Sequence, residues 1–179
     1  MTTPPTIRHA TDEDLPRIVA IYNAAIPARL ATADTAPVSV ESRQEWFEAH
    51  WPEKHPVWVL ERDGEIAAWI SASAFHDRPA YHRTAEVSLY VAPEAQGQGL
   101  GTVLLDKLIT EGPRLGLTNL VALIFGHNER SLRLFGRAGF EKWGHLPEVA
   151  ELDAVQRDLV ILGRKVGTTN DECLMTNDE

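Results

Sequence analysis

Cysteine is nearly absent from this 179-residue sequence. The single one, Cys173, lies in a polar carboxyl-terminal stretch, which excludes an internal disulfide framework or a cysteine metal cluster and fits a reducing compartment. Positive charge is also scarce. Seventeen Lys and Arg stand against 26 Asp and Glu, a formal net charge of −9, so neither nucleic acid nor an anionic membrane surface is an expected partner. Any phosphate must then be met by local structure. No apolar run reaches membrane-spanning length, and the opening MTTPPTIRHA lacks the charged and apolar regions of a signal peptide, so the expectation is a cytoplasmic protein. His50, His55, His76 and His82 have no regular ligand spacing, and no metal is expected.

What is present is an ordinary globular composition, 44% hydrophobic and 24% charged, long enough for one domain with a substantial core. Residues 1–165 read as that domain, and 166–179 as a polar tail with little to bury. Thr6 to His9 reads as a strand. Thr11 or Asp12 can then cap a helix carrying Leu15, Ile18, Val19 and Tyr22 on one face, with Pro16 in its first turn. Periodicity vanishes from Pro27 to Val40, which predicts a loop, and returns in a helix from about Glu41 to His50. VWVLER and EIAAWISAS, joined by Asp63 and Gly64, predict a hairpin. Trp46, Trp51, Trp58 and Trp69 recur where these elements should face the core. After a polar connection, HDRPAYHR, come a strand over residues 84–92 and a helix carrying Leu100, Val103, Leu104 and Leu108, with Gly112 and Pro113 as a stop. TNLVALIF reads as a strand covered on both faces, Asn128 as the cap of a helix with Leu132, Phe135 and Ala138 inward, and Phe140–Trp143 and Gln156–Arg164 as closing strands. The fold class is α/β, a mixed sheet flanked by about four helices.

Between the strand at 84–92 and its helix lie Gln96, Gly97, Gln98, Gly99, Leu100 and Gly101. Here the chain leaves a sheet and enters a helix whose first amides have no intrahelical partner, while glycines allow close approach and the helix dipole favours negative charge. That is an anion site. The Lys-Ser/Thr pair of a P-loop is missing, and the spacing is not that of the dinucleotide fingerprint.

Gln96, Gly99 and Gly101 occupy the defined places of the Q-x-x-G-x-G element, and the chain resembles the GNAT superfamily of acyl-CoA N-acyltransferases. Within it the likeness is to the phosphinothricin and methionine sulfoximine acetyltransferase group, from about Ile7 to Leu162. Ile7, Arg8, Ala10, Asp14, Leu15, Pro16, Ile21, Tyr22, Asn23 and Ala25 follow the opening pattern, and Arg43, Trp46 and Phe47 the second helix. TAEVSLYVAPEAQGQGLG follows the central element, and Asn128, Ser131, Leu134, Gly139 and Phe140 the next helix and strand. The resemblance implies acetyl transfer from acetyl-CoA to a primary amine of a small molecule in a ternary complex, without a metal. Pantetheine would pair with Leu89, Tyr90 and Val91, pyrophosphate would lie on the amides from Gln96 to Gly101, and Asn128 and Ser131 would contact the cofactor from the next helix. It also implies a homodimer.

An ammonium group has no lone pair for attack on a thioester, so the chemistry asks for a base. Glu86 stands in the place of the family's catalytic glutamate; the competing reading is an exposed strand residue paired with Arg83 or Lys107. Phe135 replaces a Tyr or His of relatives and cannot protonate a thiolate, which leaves His127 or Tyr90 as other donors. The relatives' Lys-x-Gly-x-Trp-x-Asp run aligns with Leu152, Ala154, Gln156 and Asp158, of which only Asp158 matches, and an aromatic position of their first loop is Ala33. Arg78, Tyr81 and Arg83 could hold a substrate carboxylate. Two alternatives stay open, a catalytically weakened acyl-CoA-binding module and an acetyltransferase of a peptide or protein amine.

Overall fold

A computed structural model describes residues 4–167. Among these residues seven strands form one sheet: β1 (Thr6–His9), β2 (Val57–Arg62), β3 (Glu65–Ala74), β4 (Thr84–Val91), β5 (Asn119–Phe125), β6 (Glu141–Leu152) and β7 (Val155–Lys165). Their order is β1-β2-β3-β4-β5-β7-β6. Every adjacent pair is antiparallel except β4 and β5 at the centre. Four α-helices, α1 (Leu15–Ala25), α2 (Val40–Glu48), α3 (Leu100–Glu111) and α4 (Glu129–Arg137), cover its two faces.

Local chemistry explains the joints. Asp14, just ahead of α1, accepts hydrogen bonds from the Thr11 amide at 2.8 Å and from Arg8 at 2.6 and 2.9 Å, which ties the helix start to β1. Ser39 caps α2 by accepting from the Ser42 amide at 3.1 Å. At the β2–β3 hairpin Asp63 and Gly64 take φ of 53° and 82°, the paired positive values of a type I′ turn that Asp-Gly tolerates.

The apolar stripes meet on both faces. Trp69 of β3 donates from its indole to Ile18 O at 3.1 Å and meets Trp46 of α2 edge-on, so Trp69 and the residues sharing its side face α1 and α2. On the other side Leu89 and Val91 of β4 lie against α3, where Leu104, Leu105 and Leu108 are fully buried. Burying one leucine side chain removes enough apolar surface to contribute about 1.5–3 kcal/mol.

Three expectations need correction. Trp51 is 47% exposed and packs edge-on against His55 instead of entering the core. Leu123 of β5 is 41% exposed, so that strand is not covered along its whole length. The first closing strand runs on to Leu152, well past Trp143, because the register shift between Leu146 and Ala150, with Glu148 at φ 51°, absorbs Pro147 without ending the pairing with β7. At the carboxyl end Val166 is 5% exposed and donates to Thr118 O at 2.9 Å, so the packed chain extends one residue past β7. Cys173 and most of the expected polar tail lie outside the described residues.

Candidate active site

The two central strands part company. β4 and β5 pair at Thr84–Asn119, Ala85–Leu120 and Glu86–Val121, and no further, although both strands continue. Past Glu86 the edge of β4 facing β5 therefore has main-chain groups without strand partners. Into this fork opens a cavity of about 440 Å³. It is lined by Glu86 to Tyr90 of β4, Ala122 to Phe125 of β5, Tyr22, Leu30 to Ala33, Arg43 and Trp46 on the α1–α2 side, and Asn128, Ser131 and Phe135 of α4.

The glycine loop closes one end of the fork. Gly97 and Gly99 have φ of 75° and 78°, and an added Cβ at either would meet nothing within 4 Å, so backbone conformation and open approach demand glycine there. Val103 makes the first backbone bond of α3, to Gly99 O at 3.2 Å, leaving the amides before it directed outward. Gly101 has a different reason. Its Cβ would stand 3.2 Å from Leu134 and 3.5 Å from Leu89, so the lack of a side chain lets α3 sit close to both β4 and α4. Two cations gather at this loop, Arg130 donating to Gln96 Oε1 at 2.8 Å and Arg62 bonded to Gln98.

Glu86 lies at the apex, where the pairing ends. It has no ion pair or side-chain hydrogen bond to any described residue, and burial alone pushes its carboxyl above the usual glutamate range. Neither expected competitor pairs with it: Lys107 reaches Glu111 and lies over the Trp58 ring, and no ion pair or hydrogen bond joins the Arg83 side chain to Glu86. Glu86 alternates with Ser88 and Tyr90 toward the α1–α2 side, where an aromatic wall stands. Tyr90 stacks on Trp69 with centroids 4.9 Å apart, Tyr22 meets Tyr90 edge-on at 5.0 Å, and Trp46 meets Trp69 at 5.7 Å. Arg43 lies over the Tyr22 ring and pairs with Asp34 at 2.7 Å, while the Tyr22 hydroxyl bonds Asp34 and Thr32.

Residues 18–140 match the model of the Acetyltransferase (GNAT) family. The chain belongs to the GNAT acetyltransferases. It is 48% identical over 162 residues, 90% of this chain and 99% of the relative, to YwnH of Bacillus subtilis (strain 168), which carries a provisional name as a phosphinothricin acetyltransferase. It is 36% identical over 147 residues, 82% and 86% of the two chains, to an L-methionine sulfoximine/L-methionine sulfone acetyltransferase of Pseudomonas paraeruginosa (strain DSM 24068 / PA7). Among solved structures, a GNAT superfamily phosphinothricin acetyltransferase of Sinorhizobium meliloti in complex with AcCoA superposes with a TM-score of 0.86 at 30% identity, covering 92% of this chain and 90% of that one.

Against this GNAT frame the residues singled out from the sequence fall into three groups. Glu86, Leu89, Tyr90, Asn128 and Ser131 share the cavity, and Val91 follows on the same strand. Gln96 to Gly101 form the adjoining loop. Arg78, Tyr81 and Arg83 are outside the cavity lining: Arg78 precedes and Tyr81 ends a short helical turn beyond β3, where Tyr81 packs on Phe75 and His76. Asn128 has two duties within the chain, capping α4 through the Ser131 amide at 3.2 Å and donating to Leu30 O at 3.0 Å. On either side of that contact, His127 bonds Arg29 O at 2.7 Å and the Tyr90 hydroxyl donates to Ala31 O at 3.0 Å. His127 thus fastens a loop and is not among the cavity residues, and Phe135, edge-on to Phe140 at 5.0 Å, offers no donor to it.

Sequence reasoning missed Arg43, Trp46, Trp69 and Tyr22 as site residues. A usable signal was there: Arg43 and Trp46 sit three apart on one helix face, and Trp69 lies directly opposite Tyr90 in the hairpin register.

Proposed function

We propose that the protein transfers the acetyl group of acetyl-CoA to the primary amine of a small molecule, an amino acid or close analogue, by direct attack in a ternary complex with Glu86 as general base. The observation that carries this reading is the position of Glu86: at the apex of the β4–β5 fork, facing the cavity, its carboxyl raised by burial and free of any cation. A carboxylate so placed accepts a proton from an ammonium group more readily than an exposed one, because its charged form is poorly solvated.

The residues present fit acetyl-CoA. The free edge of β4 at Leu89, Tyr90 and Val91 would take pantetheine amides as an added strand takes main-chain bonds, and the loop amides from Gln96 to Gly101 would take the pyrophosphate. Arg130 and Arg62 supply local positive charge in a chain whose net charge is −9. Asn128 and Ser131 stand on the α4 wall of the same space. Phe135 leaves the departing thiolate without a proton from that position, which a thiolate, as a fair leaving group, tolerates.

On the acceptor side, the aromatic wall and the residues Leu30 to Ala33 line the cavity beside Glu86. The test is thiol release from acetyl-CoA against phosphinothricin, methionine sulfoximine, methionine sulfone, ordinary amino acids and simple amines. Turnover with amino acids or their analogues supports the reading and eliminates a binding-only module. Silence across the panel with acetyl-CoA still bound would overturn it.

A further inference from the structure

Beside Glu86 stands a second hydrogen-bond acceptor. Ser73 of β3 is half-buried and borders the cavity at Glu86 without being among its lining residues; as the direct cross-strand partner of Glu86, it emerges on the same face with Cβ atoms about 4.5–5.5 Å apart. Behind Ser73 is His50, just past the end of α2, with Nδ1 2.7 Å from Trp46 O and Nε2 2.9 Å from Ser73 Oγ. A carbonyl oxygen can only accept, so Nδ1 carries the ring hydrogen. Burial lowers the His50 pKa below the ordinary histidine value, which favours the neutral ring at neutral pH. Its Nε2 is therefore bare, and the Ser73 hydroxyl must donate its one hydrogen to it.

The Ser73 oxygen is left with lone pairs only. The Glu86 carboxylate is likewise an acceptor, and no hydrogen bond joins the two. On the same face the Ser71 hydroxyl is buried, at 1% exposure, and has no hydrogen-bond partner among the described residues. Two adjacent acceptors with no donor between them suit a guest that brings several hydrogens and a positive charge. A primary ammonium group does both.

We propose that Ser73, its hydroxyl turned away by His50, binds the acceptor ammonium group together with Glu86, and that His50 is the positioning residue that makes Ser73 an acceptor. This rests on the function proposed above. One N–H bond breaks as its proton passes to a Glu86 oxygen and its electron pair stays on nitrogen; a second N–H remains on Ser73. The new lone pair then forms the C–N bond at the thioester carbonyl as the C–S bond breaks, and the surplus proton on nitrogen passes to the departing thiolate, leaving a neutral amide and a free thiol.

The experiment compares KM for methionine sulfoximine, or for the best panel amine, with kcat and with KM for acetyl-CoA. Ser73→Ala should raise the acceptor KM about ten- to a hundredfold, the range for losing a hydrogen bond to a charged group, with kcat and the acetyl-CoA KM changed less than about threefold. Ser73→Thr, which keeps the hydroxyl, should restore the acceptor KM. His50→Ala should copy Ser73→Ala, and His50→Gln, whose amide can donate to Trp46 O and accept from Ser73, should rescue it. A merely structural role would not give this split or this rescue. An unchanged acceptor KM in Ser73→Ala, or a fall confined to kcat, overturns the proposal. Glu86→Gln measured in parallel separates the two ideas: if it is inactive while Ser73→Ala is silent, the ammonium site alone fails, and if it keeps the wild-type rate, the general-base reading fails. A wild-type protein silent on the whole panel overturns both.

Discussion

Glu86 stands apart from the charged residues around it because nothing in the fold offsets its burial. A raised carboxyl pKa means that activity should fall as pH drops through a value above the ordinary glutamate range, and kcat/KM against pH reads that limb directly. In Glu86→Gln the limb should vanish and the rate fall by about a hundred- to ten-thousandfold. Stability should move the other way. A carboxyl whose folded pKa is raised favours folding below its unfolded pKa and loses that contribution as pH rises through the folded value, so the ionised group destabilises the native state at neutral pH. Thermal unfolding of Glu86→Gln should accordingly give a higher Tm than wild type at pH 8, with the difference shrinking toward pH 4. Asp14 has the opposite sign. Arg8, with the Thr11 amide, holds its carboxyl below the usual range, so Asp14→Asn should cost about 1–3 kcal/mol at neutral pH, a cost that fades as acid protonates Asp14 in the wild-type protein.

At the scale of elements the glycine loop and α3 were legible in the sequence because glycine marks what backbone geometry demands. Gly99 at φ 78° and Gly101 in a tight interhelix contact nevertheless fail differently. Gly99→Ala forces an L-residue into the left-handed region at about 1 kcal/mol and should raise the acetyl-CoA KM through distortion of the loop amides. Gly101→Ala presses the flexible tip of Leu134 at 3.2 Å but gains about 1 kcal/mol of helix propensity, so thermal unfolding should show little net change in stability. The β2–β3 hairpin was equally readable, since Asp63-Gly64 names its own turn. The long β6 was not, because Gly144 and Pro147 read as breakers and only pairing with β7 shows that a bulge accommodates them. The aromatic wall was half hidden for a related reason. Arg43, Trp46 and Trp69 are distant in sequence from Tyr90, and their convergence depends on where α2 crosses the sheet. Arg78, Tyr81 and Arg83 are close to Glu86 along the chain, yet the turn after β3 carries them outside the cavity.

For the whole molecule, a fork opened in the middle of a seven-stranded sheet must be held by its surroundings. Leu104, fully buried between α3 and the sheet, bears part of that load, and Leu104→Ala should cost about 2–5 kcal/mol, seen as a lower denaturation midpoint. Acetyl-CoA at a hundred times its dissociation constant should add about 2.7 kcal/mol of stability, and Tm measured with and without it reports the linkage. The loop before α2 is fastened to β4 and to the start of α4 by three successive carbonyls, Arg29, Leu30 and Ala31, which accept from His127, Asn128 and Tyr90. The Arg29 guanidinium also reaches Asp153 in the β6–β7 turn at 2.9 Å. Such fastening makes the two substrates thermodynamic correspondents: whatever factor one imposes on the affinity of the other must be returned unchanged. Tyr90→Phe, which releases Ala31 while preserving the aromatic stack, should therefore alter the dissociation constant of acetyl-CoA measured with acceptor present and that of acceptor measured with acetyl-CoA present by one common ratio relative to the binary complexes.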